Sequence, residues 1–167
     1  MNRNLFKNAN LKEIGQLRRY MSIIYDNADF YSKHFVNKTI IYTTKNKKIE
    51  LTARRDNFMH LCGVAYIDGP RKFFNDALDQ KILIKKDGST FQKLQIMNQF
   101  QEMLGPHLRL TGRSNFTYLK FDHSIRTNKS ILALALLNNQ NYMIPISLLN
   151  LKFIHPFPNG EKIIKIE

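Results

Sequence analysis

The chain has 167 residues and a mass of 19.7 kDa, with 26 Lys and Arg against 13 Asp and Glu, a net charge of +13 and a pI near 9.9. One domain over residues 1–167 is expected, because chains divide mainly beyond about 250 residues, and an apolar fraction of 43% argues against disorder. No run reaches the roughly 18 apolar residues of a membrane helix, the basic Met1–Lys7 stretch lacks the apolar segment of a secretory signal, and the lone Cys62 excludes an internal disulfide framework or cysteine-rich zinc site. A cytoplasmic protein is expected.

In chain order, Ile14, Leu17, Met21 and Ile24 repeat at spacings of three and four and predict a helix with Arg18 and Arg19 outward. Residues 27–37 read as a connection anchored by Phe30, Tyr31 and Phe35. A hairpin follows, with strands over 38–44 and 48–53 and a turn at Lys45-Asn46-Lys47. Asp56 is placed to cap a short helix carrying Phe58, Leu61 and Cys62, which Gly63 ends. Asp68-Gly69-Pro70 opens a second helix bearing Phe73 or Phe74, Ala77 and Leu78. After a turn over 85–88, Ser89 and Gln92 suggest a capping box for a third. Its stripe is Phe91, Leu94, Met97, Phe100 and Leu104, stopped by Gly105-Pro106.

Beyond Pro106 the pattern is strand-like. Residues 116–121 alternate, 130–137 are apolar on both faces and predict a central strand, and 142–146 return after the Asn138-Asn139-Gln140-Asn141 turn. Residues 152–154 and 162–166 read as edge pieces. The expected class is α+β, with N-terminal and central helices packed on an antiparallel sheet.

Charge is uneven along the chain. Residues 1–55 carry a net +8, residues 56–106 are neutral and residues 107–167 carry +5. Concentrated basic segments point to a polyanion, since each neutralised phosphate releases a counterion; a solvated basic face is the plain alternative.

No Walker loop, dinucleotide-type glycine motif or His-Glu-x-x-His is present. Asp76 and Asp79 lie three apart, but a solvated pair explains them better than a metal site, and several converging carboxylates would be needed for two-metal cleavage. No cofactor is expected. RNA cleavage without a metal needs a base for the 2′-hydroxyl, an acid for the 5′-oxygen and cations on the non-bridging oxygens. His34, His60, His107, His123 and His155, with the many Lys and Arg, supply those types. His60 and His123 stand out: His60 follows Arg54-Arg55 and precedes a glycine turn, and His123 lies beside Lys120, Asp122 and Arg126. Asp122 and His123 point to opposite faces of a strand, which weakens a dyad. Cys62 reads as buried filling. Phe116, Tyr118 and Tyr142 are candidates for base stacking or for the core.

The stretch Asn57-Phe58-Met59-His60-Leu61-Cys62-Gly63, then Phe73-Phe74, Lys93-Leu94 and Pro145-Ile146-Ser147-Leu148-Leu149, resembles the fourth type of the phage-carried barnase–EndoU–colicin–RelE-like nucleases. The resemblance covers about residues 52–150, flanked by the helix and hairpin of 10–53 and a strand extension over 151–167. It implies helices on an antiparallel four-stranded meander and metal-independent ribonuclease activity in a phage or mobile-element protein. By the same resemblance His60 is a general base or acid, Lys93 a phosphate or transition-state ligand, and Ser147 the late serine. Lys120 or His123 would be a second acid/base or stabilising group. Arg54, Arg55, Arg109, Arg113 and Arg126 are the phosphate-positioning candidates. RNA or another nucleic acid is the expected partner, with a host ribonucleoprotein or cognate inhibitor as a further candidate and no membrane. The competing reading is a non-catalytic nucleic-acid- or ribonucleoprotein-binding anti-defence factor, such as an anti-CRISPR inhibitor.

Overall fold

The computed structural model describes residues 3–76, 82–116 and 119–167. A 3-10 turn (Arg3–Leu5) leads into strand β1 (Phe6–Asn8) and helix α1 (Leu11–Arg19). Asn10 caps α1: its Oδ1 accepts from the Glu13 backbone N–H at 2.9 Å, and Glu13 Oε2 accepts from that of Asn10 at 2.9 Å. The predicted first helix is two helices, because the chain turns at Tyr20 before α2 (Met21–His34). The connection expected over 27–37 is helical through His34. Buried Ile24, Ala28 and Tyr31 extend the stripe, and Tyr31 stacks on Phe35 with centroids 5.5 Å apart.

The hairpin is β2 (Thr39–Thr44) and β3 (Lys48–Thr52). Helix α3 (Arg55–Cys62) follows directly, and Asn57 Oδ1, rather than Asp56, accepts from the first free backbone N–H at Arg54. Then come β4 (Val64–Tyr66), α4 (Pro70–Asp76), β5 (Ile82–Lys85) and α5 (Ser89–Leu94). Ala77 and Leu78 lie outside the described residues. The expected third helix stops at Leu94 and continues as a 3-10 helix, Met97–Leu104, with Gly88 rather than Ser89 at the cap position. Strands β6 (Leu108–Thr111), β7 (Ser114–Phe116), β8 (Leu119–Phe121), β9 (His123–Thr127), β10 (Leu132–Asn139), β11 (Tyr142–Asn150) and β12 (Glu161–Ile166) complete the chain.

The sheet corrects the expected architecture. In place of helices packed on an antiparallel meander, seven strands close into a mixed barrel in the order β10-β11-β3-β2-β12-β6-β9. Closure follows from two pairings between distant segments. The C-terminal strand β12 inserts between β2 and β6, joining the early hairpin to the late strands. On the hairpin's other side β3 meets β11 in parallel, Leu51 opposite Met143. A closed sheet leaves no long unpaired edge, so residues 162–166 are an interior strand rather than an edge piece. Strands β1, β5 and β4 form a separate small sheet.

Strand β10 is buried on both faces, as its composition predicts. Leu132, Leu134 and Leu136 enter the main core, whereas Ala133 and Ala135 enter a second cluster with Phe121, Leu149 and Leu151. Residues 152–154 form turns rather than a strand, and Ile154 and Phe157 pack on that second cluster. Buried Tyr42 donates to the Met103 carbonyl at 2.8 Å, fixing the 3-10 helix to the barrel. Among the described residues no helix is long and apolar enough to cross a membrane.

The barrel makes a direct stability prediction. Leu134→Ala should cost about 2–5 kcal/mol in urea unfolding, and Leu137→Ala, two-fifths exposed at the end of the same strand, under about 1 kcal/mol.

Candidate active site

Beyond Leu51, β3 turns into α3 instead of following β11, and α3 packs along β11. That places the helix's C-terminal end, with His60, beside Ser147. Gly63 closes the helix in the left-handed region, at φ +69°. A side chain there would also clash, since an added Cβ would lie 2.7 Å from Lys93 Cδ. Lys93 crosses this gap from α5. Its Nζ donates to Ser147 Oγ at 2.5 Å and reaches the His60 carbonyl at 3.5 Å. Thr90, one turn earlier on α5, donates to the Gly63 carbonyl at 2.5 Å and accepts from the Lys85 backbone N–H at 2.9 Å. Segments carrying His60, Gly63, Lys93 and Ser147 are thus drawn into one hydrogen-bonded site.

The electrostatics are unusual for exposed catalytic groups. Lys93 is only 6% exposed. Burial, reinforced by the charge of Lys85, lowers its ammonium to about 7, against small opposing effects of Cys62 and Asp87. His60 is half-buried. Burial lowers its imidazole below the ordinary value, helped by Lys93 and Lys85 and opposed by Asp56. At neutral pH the imidazole is therefore neutral and the lysine lies near its midpoint. Burial raises the Cys62 thiol, which is inert filling against this site.

The other expected residues lie elsewhere. Lys120 is exposed and lines a pocket of about 260 Å³ with Arg113, Phe121, Asp122 and Leu137. Arg113 pairs with Asp122 at 3.0 Å. His123 is opposite Leu136, a main-core residue, whereas Ser147 is in register with Ala135 and Ser124 on the other face of the sheet. Its Nδ1 is buried without a hydrogen-bond partner, and burial lowers its imidazole. Arg109 and Arg126 face each other across β6 and β9 and hold the segment before β12. Arg109 donates to the carbonyls of Asn159 and Gly160 at 2.9 Å, and Arg126 to Asn159, Ser130 and the Thr127 carbonyl. Arg54 and Arg55 sit exposed at the start of α3, the end away from His60. Asp79 and Tyr118 lie outside the described residues, as do the side chains of Asp76 and Phe116. Among the described residues no three His, Cys, Asp or Glu side chains come together as a metal site.

Thr90 and Lys85 are the site members that motif reading misses. Nothing in a turn followed by a short helix signals that Thr90 bonds a carbonyl 27 residues away.

A basic chain in which a buried lysine bridges a serine and the backbone carbonyl of a half-buried histidine at a helix end has the groups for phosphodiester chemistry. That class is borne out by comparison: the family model described as phage-Barnase-EndoU-ColicinE5/D-RelE like nuclease 4 matches residues 23–166, and the chain belongs to this nuclease family. Its substrate is accordingly a nucleic acid. The match takes in the early hairpin and all of β12, beyond the 52–150 span of the motifs. Comparison with curated proteins and with solved structures gives no match.

A buried ammonium should weaken the fold. Lys93→Met is expected to stabilise the protein at pH 6 by about 2–4 kcal/mol. Between about pH 7 and the ordinary lysine range the folded state has lost a proton that the unfolded state keeps, so wild-type stability rises with pH there. The advantage of Lys93→Met should shrink over that window, as paired urea titrations at pH 6 and pH 9 would show.

Proposed function

We propose that this protein is a metal-independent endoribonuclease of phage or mobile-element origin that cleaves RNA by attack of the 2′-hydroxyl. The observation carrying the reading is that Lys93 bridges Ser147 and the backbone carbonyl of His60, whose imidazole feels the lysine's charge, and that neither side chain forms an ion pair with a carboxylate among the described residues. The neutral imidazole of His60 takes the 2′-hydroxyl proton. The freed O2′ bonds to phosphorus while the bond to the 5′-oxygen breaks, leaving a 2′,3′-cyclic phosphate and, after protonation, a 5′-hydroxyl. Negative charge builds on the non-bridging oxygens. Ser147 accepts from the Lys93 ammonium, so its own O–H is free to donate to such an oxygen, and the buried charge acts through a polarised hydroxyl.

Lys120 and His123 are not needed for this scheme, and Arg54 and Arg55, at the other end of α3, are suited to holding the strand further along. The burial of Lys93 favours a second reading, in which the same site is a structural post in a non-catalytic nucleic-acid binder.

Purified protein in EDTA should cut single-stranded RNA to 2′,3′-cyclic phosphate ends, with His60→Ala lowering the rate by about 10²–10⁴. Activity should rise as pH passes the depressed His60 value and fall as pH passes about 7, where Lys93 loses its proton. Intact RNA in EDTA, together with steeply salt-dependent RNA affinity, would replace the nuclease reading with the binder.

A further inference from the structure

The site contains a second lysine that no motif marks. Lys85 ends β5, and its backbone is tied through the Thr90 hydroxyl to Gly63, the residue Lys93 crosses. Its half-buried side chain carries the ammonium 6.0 Å from the centroid of Phe6, its register partner on β1. Among the described residues Lys85 makes no ion pair with a carboxylate. Asp87, on the following turn, accepts instead from the Ser89 backbone N–H, and Asp56 pairs with Arg71 at 3.5 Å.

Lys85 and Lys93 are like charges on segments joined through Thr90 and Gly63, and the first charge to disfavour the Lys93 ammonium is that of Lys85. Lys93 is committed to Ser147 and the His60 carbonyl and is nearly sealed from solvent. An incoming strand cannot meet it first. A phosphodiester anion beside Lys85 would relieve the repulsion and bring the strand to the end of α3.

We infer that Lys85 is the substrate-binding residue of this site, contacting a backbone phosphate of a single-stranded RNA held at the C-terminal end of α3. The inference rests on the nuclease reading for its substrate class, and its test separates the two. The probe is a labelled 12-nucleotide RNA with 2′-O-methyl groups throughout, which cannot be cut by 2′-hydroxyl attack. Its affinity for wild type, Lys85→Met, Lys85→Gln and Lys85→Arg is measured by fluorescence anisotropy across salt concentrations.

Both neutral variants should bind roughly fivefold or more weakly, with the salt slope shallower by about 0.7, one contact's worth for a single strand. Lys85→Arg should retain affinity and slope. In cleavage of unmodified RNA, Lys85→Met should raise KM more than it lowers kcat. It should also move the alkaline limb of the pH profile upward, because Lys93 is relieved of its neighbour's charge; a purely structural role would do neither. Unchanged affinity and salt slope in folded Lys85→Met or Lys85→Gln overturns the inference, as does a wild type that does not bind the probe. Lys85-dependent binding by a protein that cuts no RNA would leave the inference standing and sink the nuclease reading.

Discussion

The site depends on keeping a lysine where water cannot solvate it. Lowering an ammonium from 10.5 to about 7 corresponds to about 5 kcal/mol against its charged form, at 1.36 kcal/mol per unit. That is a large share of a domain's net stability, and nothing in packing a barrel requires it. The surroundings offset part of the cost with the Ser147 hydroxyl and a carbonyl at the end of α3, where the helix dipole favours positive charge. They also leave room: Gly63 has no Cβ where the lysine stem passes. Were β3 to follow β11 along its length, α3 could not lie against that strand. The short parallel contact at Leu51 and Met143 is therefore the topological condition for the site.

Arg126 shows the contrast. Among the described residues it is the other buried cation, and it is surrounded by neutral oxygens from Asn159, Ser130 and Thr127. A planar guanidinium with several donors can be satisfied this way and stay charged. It serves as a staple for the chain entering β12. Lys93 has fewer partners and a movable proton.

Local pattern made some of this legible and hid the rest. His60, Gly63, Lys93 and Ser147 could be singled out because each sits in a short motif, and their meeting follows from the order of elements. The two faces of β10 were readable because an unbroken apolar run admits few other meanings. Barrel closure was not readable, because β12 alternates as an edge strand would and its partners β2 and β6 lie far off in sequence. The three- and four-residue strands β4 and β5, which frame the site, are too short to show a period. The aromatic residues of α2 masked a helical stripe by looking like anchors in a loop.

The net charge of +13 overstates the surface available to a nucleic acid. Arg109 and Arg126 are taken up by the segment before β12, Arg113 by Asp122, Lys7 by Glu13 and Lys165 by Glu167. Exposed basic side chains remain at the β2–β3 turn, where Lys45, Lys47 and Lys48 cluster, and at Arg54 just before α3. These lie in the first 55 residues, the most basic third of the chain. The neutral middle third supplies His60, Lys85 and Lys93. Excess charge there would depress His60 and Lys93 further, since each cation added near them disfavours their protonated forms. Keeping most of the charge on other segments lets a strand be attracted without deprotonating Lys93, on which the proposed cleavage depends.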